Sequence, residues 1–300
     1  MSSIELSIVM PCLNEEQTIG TCIEKAISFL EKNNIPGEVI VGDNGSQDRS
    51  IEIAESLGAK VIREKKKGYG SALRAAIRAS NGKYILMGDS DDSYNFSEVK
   101  GFIDKLRSGS RFVMGNRFKG TIAQGAMPWK NKYLGNPFLS WIGKLFFNVE
   151  CNDFHCGMRA FRKDTFEKLN PVSNGMEFAS EMVIKAKFCD IEIEEIPINL
   201  YKDGRDRPPH LRPWRDGWRH LTFMLVHSPK WAIFYPGIVA ILLGLIAGAQ
   251  ILSQSLMAQK LGLNIGALFV FATFTILGVQ AVIFSIISRH FGMLFGSFPF

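Results

Sequence analysis

The chain has 300 residues, 46% of them hydrophobic, with 35 Lys and Arg against 29 Asp and Glu for a net charge of +6. That length allows one large domain, or one domain with an appendage. The excess positive charge fits an anionic partner. No basic stripe with interleaved stacking aromatics and no nucleic-acid motif occurs, so nucleic acid is excluded in favour of phosphates or lipid headgroups.

Residues 1–6 carry Glu5 and no long apolar run, so no leader peptide is expected. Residues 4–10 are apolar and predict a strand. Residues 16–30 place Ile19, Ile23, Ile27 and Leu30 at helical spacing. Strands are then expected at 39–42, 60–63, 84–88 and 112–115, with helices at 49–57, 71–79 and 97–106 between them. This alternation predicts right-handed βαβ units and a mostly parallel sheet. Five cysteines (Cys12, Cys22, Cys151, Cys156, Cys189) include no Cys-x-x-Cys pair, and Cys151 and Cys156 flank His155 without zinc-site spacing; structural thiols are expected.

Ligands bind such sheets beyond the carboxyl ends of the strands. There the chain places PCLNEE, GDNGSQD, EKKKGYG and GDSDDS. The last crowds Asp89, Asp91 and Asp92 at the end of an apolar run, where their charges repel. A hard cation such as Mg²⁺ or Mn²⁺ would relieve that repulsion, because it takes one or two carboxylates together with substrate phosphates. The other reading is a capping turn in which Asp92 or Ser93 starts a helix. Likewise Glu15 can be a helix-start carboxylate, Asp43 and Asn44 turn formers, Arg117 a surface charge, and Asp153 with Arg159 a structural pair.

Residues 127–149 mix Trp129, Phe138, Trp141, Leu145 and Phe146 with Lys130, Lys132 and Lys144, as an interfacial helix does. Pro128 and Pro137 predict two helices or one broken one. Residues 203–231 interleave Arg205, Arg207, Arg212, Arg215 and Arg219 with Trp214, Trp218 and Trp231. Residues 232–252 and 263–287 hold no charged residue. Each is long enough to cross a bilayer, the alternative being buried core helices. Arg212, Arg215, Arg219, Lys230 and Arg289 on their outer flanks, against Lys260 alone between them, predict an integral membrane protein with its amino-terminal domain cytoplasmic.

The ordered motifs VMPCLNEEQTI (9–19), VIVGDNGSQDRS (39–50), KGYGSALRAA (67–76), GDSDDSY (88–94), MGNRF (114–118) and DFHCGMRAFRKD (153–164) resemble family 2 glycosyltransferases of the GT-A fold, in particular polyprenyl-phosphate (dolichol-phosphate-type) hexosyltransferases. The resemblance implies an α/β GT-A domain over 1–200 that includes the interfacial helices, a juxtamembrane segment over 201–230 and a membrane region over 231–300. It implies an inverting, metal-dependent enzyme moving a hexose from a nucleotide-sugar, UDP- or GDP-linked, to polyprenyl phosphate. Pro11, Leu13, Glu15, Asp43, Lys67, Asp89 and Ser90 would then bind the nucleotide, and Asp89 and Asp91 the metal. Arg117, Lys132, Asn136 and Arg207 would bind the acceptor phosphate, with Asp91, Arg117 and Arg205 as the catalytic set. Ser93 stands where relatives often have a glutamine ligand, so the metal would be held more weakly, or Asp92 or water would substitute. A processive polysaccharide synthase is the same-fold alternative, although no Gln-x-x-Arg-Trp motif occurs. A non-catalytic membrane scaffold or translocation partner is the other alternative. A homo-oligomer is left open.

Overall fold

A strand covered on both faces must be apolar at every position, and β1 (Leu6–Cys12) and β4 (Tyr84–Met87) meet that condition almost without exception. They form the middle of the sheet in a computed structural model that describes residues 4–207, 213–253 and 265–294. Arg212, Lys260 and the first residues of the segment 263–287 lie outside the described residues. The chain divides into two compact units, Met1–Leu221 and Thr222–Phe300.

In the first unit, α1 (Ile19–Lys32), β2 (Gly37–Asp43), α2 (Ser50–Ser56), β3 (Lys60–Arg63) and α3 (Tyr69–Arg78) follow β1 as expected. After β4 come α4 (Lys100–Arg107), β5 (Phe112–Asn116), α5 (Asn136–Phe147), β6 (Arg159–Arg162), α6 (Lys163–Leu169), α7 (Phe178–Phe188) and β7 (Ile193–Pro197). The seven strands run in the order β3-β2-β1-β4-β6-β5-β7. Pairing is parallel except at β6, which is antiparallel to both β4 and β5.

Two boundaries differ from the sequence expectation. α1 starts at Ile19 rather than residue 16, because Asn14 takes φ +57° and Thr18 N donates to the Glu15 carbonyl in a tight turn. The helix expected at 97–106 opens as a short 3₁₀ turn, Phe96–Glu98, capped by the Asn95 side chain, before α4 proper. The strands β6 and β7 carry no apolar signature of their own. β6 reads Arg-Ala-Phe-Arg, yet Arg159 is fully buried because its guanidinium donates to the carbonyls of Cys156, Ala179 and Phe154.

Residues 129–147 form one helix with a wide turn, Asn131–Gly135, leading into α5. Pro137 cannot donate to the carbonyl one turn back, and the wide turn absorbs the mismatch without breaking the helix. The same device recurs at Lys230–Phe234, just before Pro236.

α8 (Pro213–Val226) ends in the second unit, which also holds α9 (Tyr235–Leu252) and α10 (Ile265–Leu294). Segments Lys230–Leu252 and Gly266–Gly292 are long and apolar enough to cross a membrane, and few of their residues are buried. That exposure removes the buried-core alternative for both. α9 and α10 pack closely where small residues meet. A Cβ on Gly244 would sit 2.1 Å from Thr275 Oγ1, and one on Gly278 2.6 Å from the Gly237 carbonyl.

Candidate active site

β1 and β4 end side by side, and the residues just beyond them build the site. Ser90 Oγ donates to the Pro11 carbonyl at 2.6 Å, and Thr18 Oγ1 donates to the Ser90 carbonyl at 2.7 Å. These bonds tie the acidic loop after β4 to the loop after β1. Asp91 Oδ1 accepts from Ser93 N at 3.0 Å and from Ser93 Oγ at 2.6 Å. Asp89 Oδ1 accepts from the Tyr69 hydroxyl at 2.8 Å. Burial, then the charge of Asp91, pushes the Asp89 carboxyl up to about 6, against the pull of Tyr69, Arg205 and Arg117.

Residues 203–207 cross this loop as a strap. Arg205 is half-buried there, and its guanidinium donates to Asp91 Oδ2 at 2.5 Å, Glu15 Oε1 at 3.1 Å and Asp203 Oδ2 at 3.3 Å. Gly204 N donates to the Asp91 carbonyl at 3.1 Å. Arg207 pairs with Glu15 at 3.0 Å and donates to the Asn14 and Leu13 carbonyls at 2.6 and 3.2 Å. Gln17 and Asp206 close the far end with two bonds of 3.0 Å. A cavity of about 320 Å³ lies between the strap and the β1–α1 loop, within the usual range of small-ligand sites.

The other expected residues fall in three places. Asp43 is buried in its own turn after β2, where its two oxygens hold the N–H groups of Gly45 and Ser46. Lys67 reaches the same loop, donating to the Asn44 carbonyl at 2.8 Å. Gly68 follows at φ +131° with the Asn174 carbonyl so close that any Cβ would clash, at 2.1 Å. Arg117 is buried and donates through Nε and Nη2 to both oxygens of Asp153, each at 2.7 Å. Lys132 and Asn136 lie on the helix around the wide turn. There Trp129, Tyr133, Phe138 and Trp141 are each more than half exposed, and Lys132 sits 5.4 Å from the Tyr133 ring centroid.

Three expectations are corrected. Asp153 pairs with Arg117, not with Arg159, whose donors are taken by backbone carbonyls. Arg117 is therefore not a surface charge. Asp92 does not stand in for the missing glutamine: at φ +63° it turns away to Lys25 Nζ, 2.6 Å off. Arg207, expected on the acceptor side, bonds the carbonyls of Leu13 and Asn14 in the β1–α1 loop. Sequence reasoning missed Tyr69, Thr18 and Asp203, although Tyr69 lies inside the glycine-bracketed motif.

Among the described residues no three Asp, Glu, His or Cys side chains are set to hold a metal by themselves. Asp89 and Asp91 nevertheless fit a hard cation that completes its shell with diphosphate oxygens and water. Burial and the neighbouring charge of Asp91 hold the Asp89 carboxyl above its ordinary value, and Asp91 itself is met by the guanidinium of Arg205.

Comparison with known proteins identifies the family. The Glycosyl transferase family 2 model matches residues 7–169. The low-salt glycan biosynthesis hexosyltransferase Agl6 of Haloferax volcanii is 42% identical over 243 residues, 81% of this chain but 58% of that protein's own length. A dolichyl-phosphate hexose transferase of the same organism is 31% identical over 65% of this chain and 82% of its own. Human dolichyl-phosphate beta-glucosyltransferase is 31% identical over 65% of this chain and 67% of its own. Glucosyl-3-phosphoglycerate synthase from Mycobacterium tuberculosis, solved with Mn²⁺ and UDP, superposes with TM-score 0.59 at 22% identity over 75% of this chain and 79% of that one, a likeness of GT-A fold. On the extent of the family match and the motifs within it, the chain belongs to glycosyl transferase family 2.

Proposed function

We propose that the chain is a membrane-bound, inverting hexosyltransferase that moves a sugar from a UDP- or GDP-linked donor to polyprenyl phosphate. The strap supports this reading: the Arg205 guanidinium pairs with Asp91 and Glu15 beside the acidic loop, and its planar fork suits a diphosphate. The names of the relatives support the acceptor class. So does the exposed face of Trp129, Tyr133, Phe138 and Trp141 with its lysines, which suits a headgroup layer. The apolar helices α9 and α10 supply the anchor, and Arg215, Arg219, Lys230 and Arg289, close in sequence to the outer ends of the two apolar segments, favour a cytoplasmic catalytic unit.

In this reading the donor diphosphate lies above the carboxyl ends of β1 and β4. Arg205 exchanges its carboxylates for phosphate oxygens, which its planar fork suits, and Arg207 follows it. Tyr69 and Ser93 hold Asp89 and Asp91 in orientation. Mg²⁺ or Mn²⁺ held by Asp89 and Asp91 would neutralise charge on the departing nucleoside diphosphate. Pro11, Leu13, Glu15, Asp43, Lys67 and Ser90 shape the nucleotide side. On the acceptor side Arg117, fixed by Asp153, acts with Lys132 and Asn136 on the lipid phosphate. That phosphate is ionised near neutral pH, so it attacks the anomeric carbon without a strong general base. One C1–O bond forms as the C1–O bond to the diphosphate breaks on the opposite face, which inverts the centre. Holding two anions in contact geometry supplies most of the rate.

Membranes bearing the chain, incubated with labelled nucleotide-sugars and polyprenyl phosphate, will carry label into the lipid fraction. Asp91→Ala will lower that transfer on the order of a thousandfold while leaving the unfolding temperature little changed. Label appearing only in polymer, or full transfer by Asp91→Ala, defeats the proposal.

A further inference from the structure

Three buried side-chain atoms among the described residues have no hydrogen-bond partner: Arg205 Nε, His155 Nδ1 and Glu177 Oε2. Arg205 belongs to the strap, and Glu177 to the turn before α7. His155 belongs to a buried chain of bonds outside the catalytic set. Its Nε2 lies 3.2 Å from Ser180 Oγ on α7, and Ser180 Oγ lies 2.8 Å from Nδ1 of His220 on α8. The two imidazole rings meet edge to face at 4.5 Å, and Ser180 and His220 are both buried.

His155 sits in the middle of a loop that touches both sides of the site. Two residues before it, Asp153 takes two bonds of 2.7 Å from Arg117. Two residues after it, Gly157 lies against the acidic loop. Its N–H donates to the Tyr94 hydroxyl at 3.0 Å, and a Cβ there would sit 2.6 Å from Asp89 Oδ2. Arg159 ties the backbone of this loop to α7, donating to the carbonyls of Phe154, Cys156 and Ala179. The His155 side chain adds a second tie to α7 and, through Ser180, one to α8.

A single hydroxyl proton orders this chain. Ser180 has one proton to donate and an imidazole nitrogen on either side, so it donates to one ring and accepts from the other. Burial pushes His220 down to about 4 and His155 well below its ordinary value, so both rings are neutral and each carries one N–H. If Ser180 donated to His155 Nε2, the His155 proton would sit on Nδ1, a buried donor with no acceptor. A buried N–H without an acceptor is a rarer defect than an unpaired lone pair. The chain therefore runs the other way: His155 Nε2–H donates to Ser180 Oγ, and the Ser180 proton goes to His220 Nδ1. His220 thus decides which nitrogen of His155 is protonated. Without that acceptor the Ser180 proton turns back on His155 Nε2 and forces the unpaired donor.

We propose that His220, acting through Ser180, is a positioning residue: it fixes the tautomer and orientation of His155, and with them the loop 153–157 that presents Arg117 and flanks Asp89. This rests on the sugar transfer proposed above. The test compares His220→Phe, Ser180→Ala and His220→Asn with the unmodified chain in detergent, by transfer kinetics and by NMR of ¹⁵N-labelled histidine. Phe keeps a ring but offers no acceptor, whereas Asn can place its amide oxygen near the position of Nδ1. In the unmodified chain His155 and His220 should both carry their proton on Nε2. His220→Phe and Ser180→Ala should each lower kcat about tenfold with KM for donor and acceptor unchanged. The two changes together should be no worse than either alone, because they break one chain. His220→Asn should restore kcat to within about twofold of the unmodified chain. Unchanged kcat in His220→Phe, an Asn variant as slow as the Phe variant, or a His155 proton on Nδ1 in the unmodified chain overturns the proposal. A loss that raises KM for both substrates assigns a merely structural role and overturns it as well. An unmodified chain that transfers no sugar defeats the transfer reading instead, and the tautomers, which need no substrate, still decide the order of the chain.

Discussion

Arg117, buried, and Arg205, half-buried, both face carboxylates, and they are bound differently. Arg117 meets one partner, Asp153, through two parallel bonds, and the Asp153 backbone is itself held by Glu195. Arg205 is divided among Asp91, Glu15 and Asp203, and its Nε has no partner. The first pair is a closed two-bond fork, whereas the second is a cation shared by three anions. Burial and charge alone therefore do not tell an arginine held by one partner from one divided among several; the pattern of its bonds does.

The largest expected effect breaks the closed pair. Arg117→Ala leaves Asp153 buried and uncompensated, which is expected to destabilise by about 3–5 kcal/mol. Thermal unfolding in detergent should fall by roughly 10 °C. An unchanged midpoint would mean that Arg117 is as replaceable as Arg205.

Acid should loosen the same region. Burial raises the Glu195 carboxyl, but bonds from Asn152, Asp153 and Asn116 outweigh it and lower the group to about 2. A carboxylate depressed in the folded state stabilises fully above its unfolded value and loses that contribution as pH falls toward the folded one. The stability gap between the unmodified protein and Glu195→Gln, on the order of 3 kcal/mol, should be constant from pH 8 to about pH 5. It should shrink steadily below that. A gap that grows on acidification would reverse the sign.

The smallest effect tests the open cluster. Arg205→Ala should lower sugar transfer about a hundredfold, the scale of losing one charge-stabilising donor. It should also make the unfolding temperature rise when Mg²⁺ is added, because the three carboxylates then need another cation. If added Mg²⁺ leaves that variant unmoved, Asp89 and Asp91 do not form a cation site.

The first five strands, their helices and the acidic loop after β4 were legible because each is written in local periodicity: apolar strand, turn, amphipathic helix. β6 and β7 were not, since β6 puts an arginine at each end and takes its apolar character from where it is inserted, between β4 and β5. Resemblance placed Arg205 near the diphosphate, but the Arg205 bonds to Glu15 and Asp91 join distant stretches of chain. For the same reason Asp153 was set opposite the wrong arginine, and Asp92 was offered to a metal when its left-handed backbone turns it to Lys25. The Ser180–His220 bond and the unpaired Glu177 oxygen left no trace in residue spacing.

Composition and spacing by themselves determined an α/β sheet with acids at its carboxyl edge and two apolar helices long enough for a bilayer, because helix, strand and span depend on neighbours a few residues away. Only the tertiary structure decided which arginine is held by one carboxylate and which is divided among three. That choice depends on hydrogen bonds between residues brought together by the sheet order, and no short-range pattern encodes them.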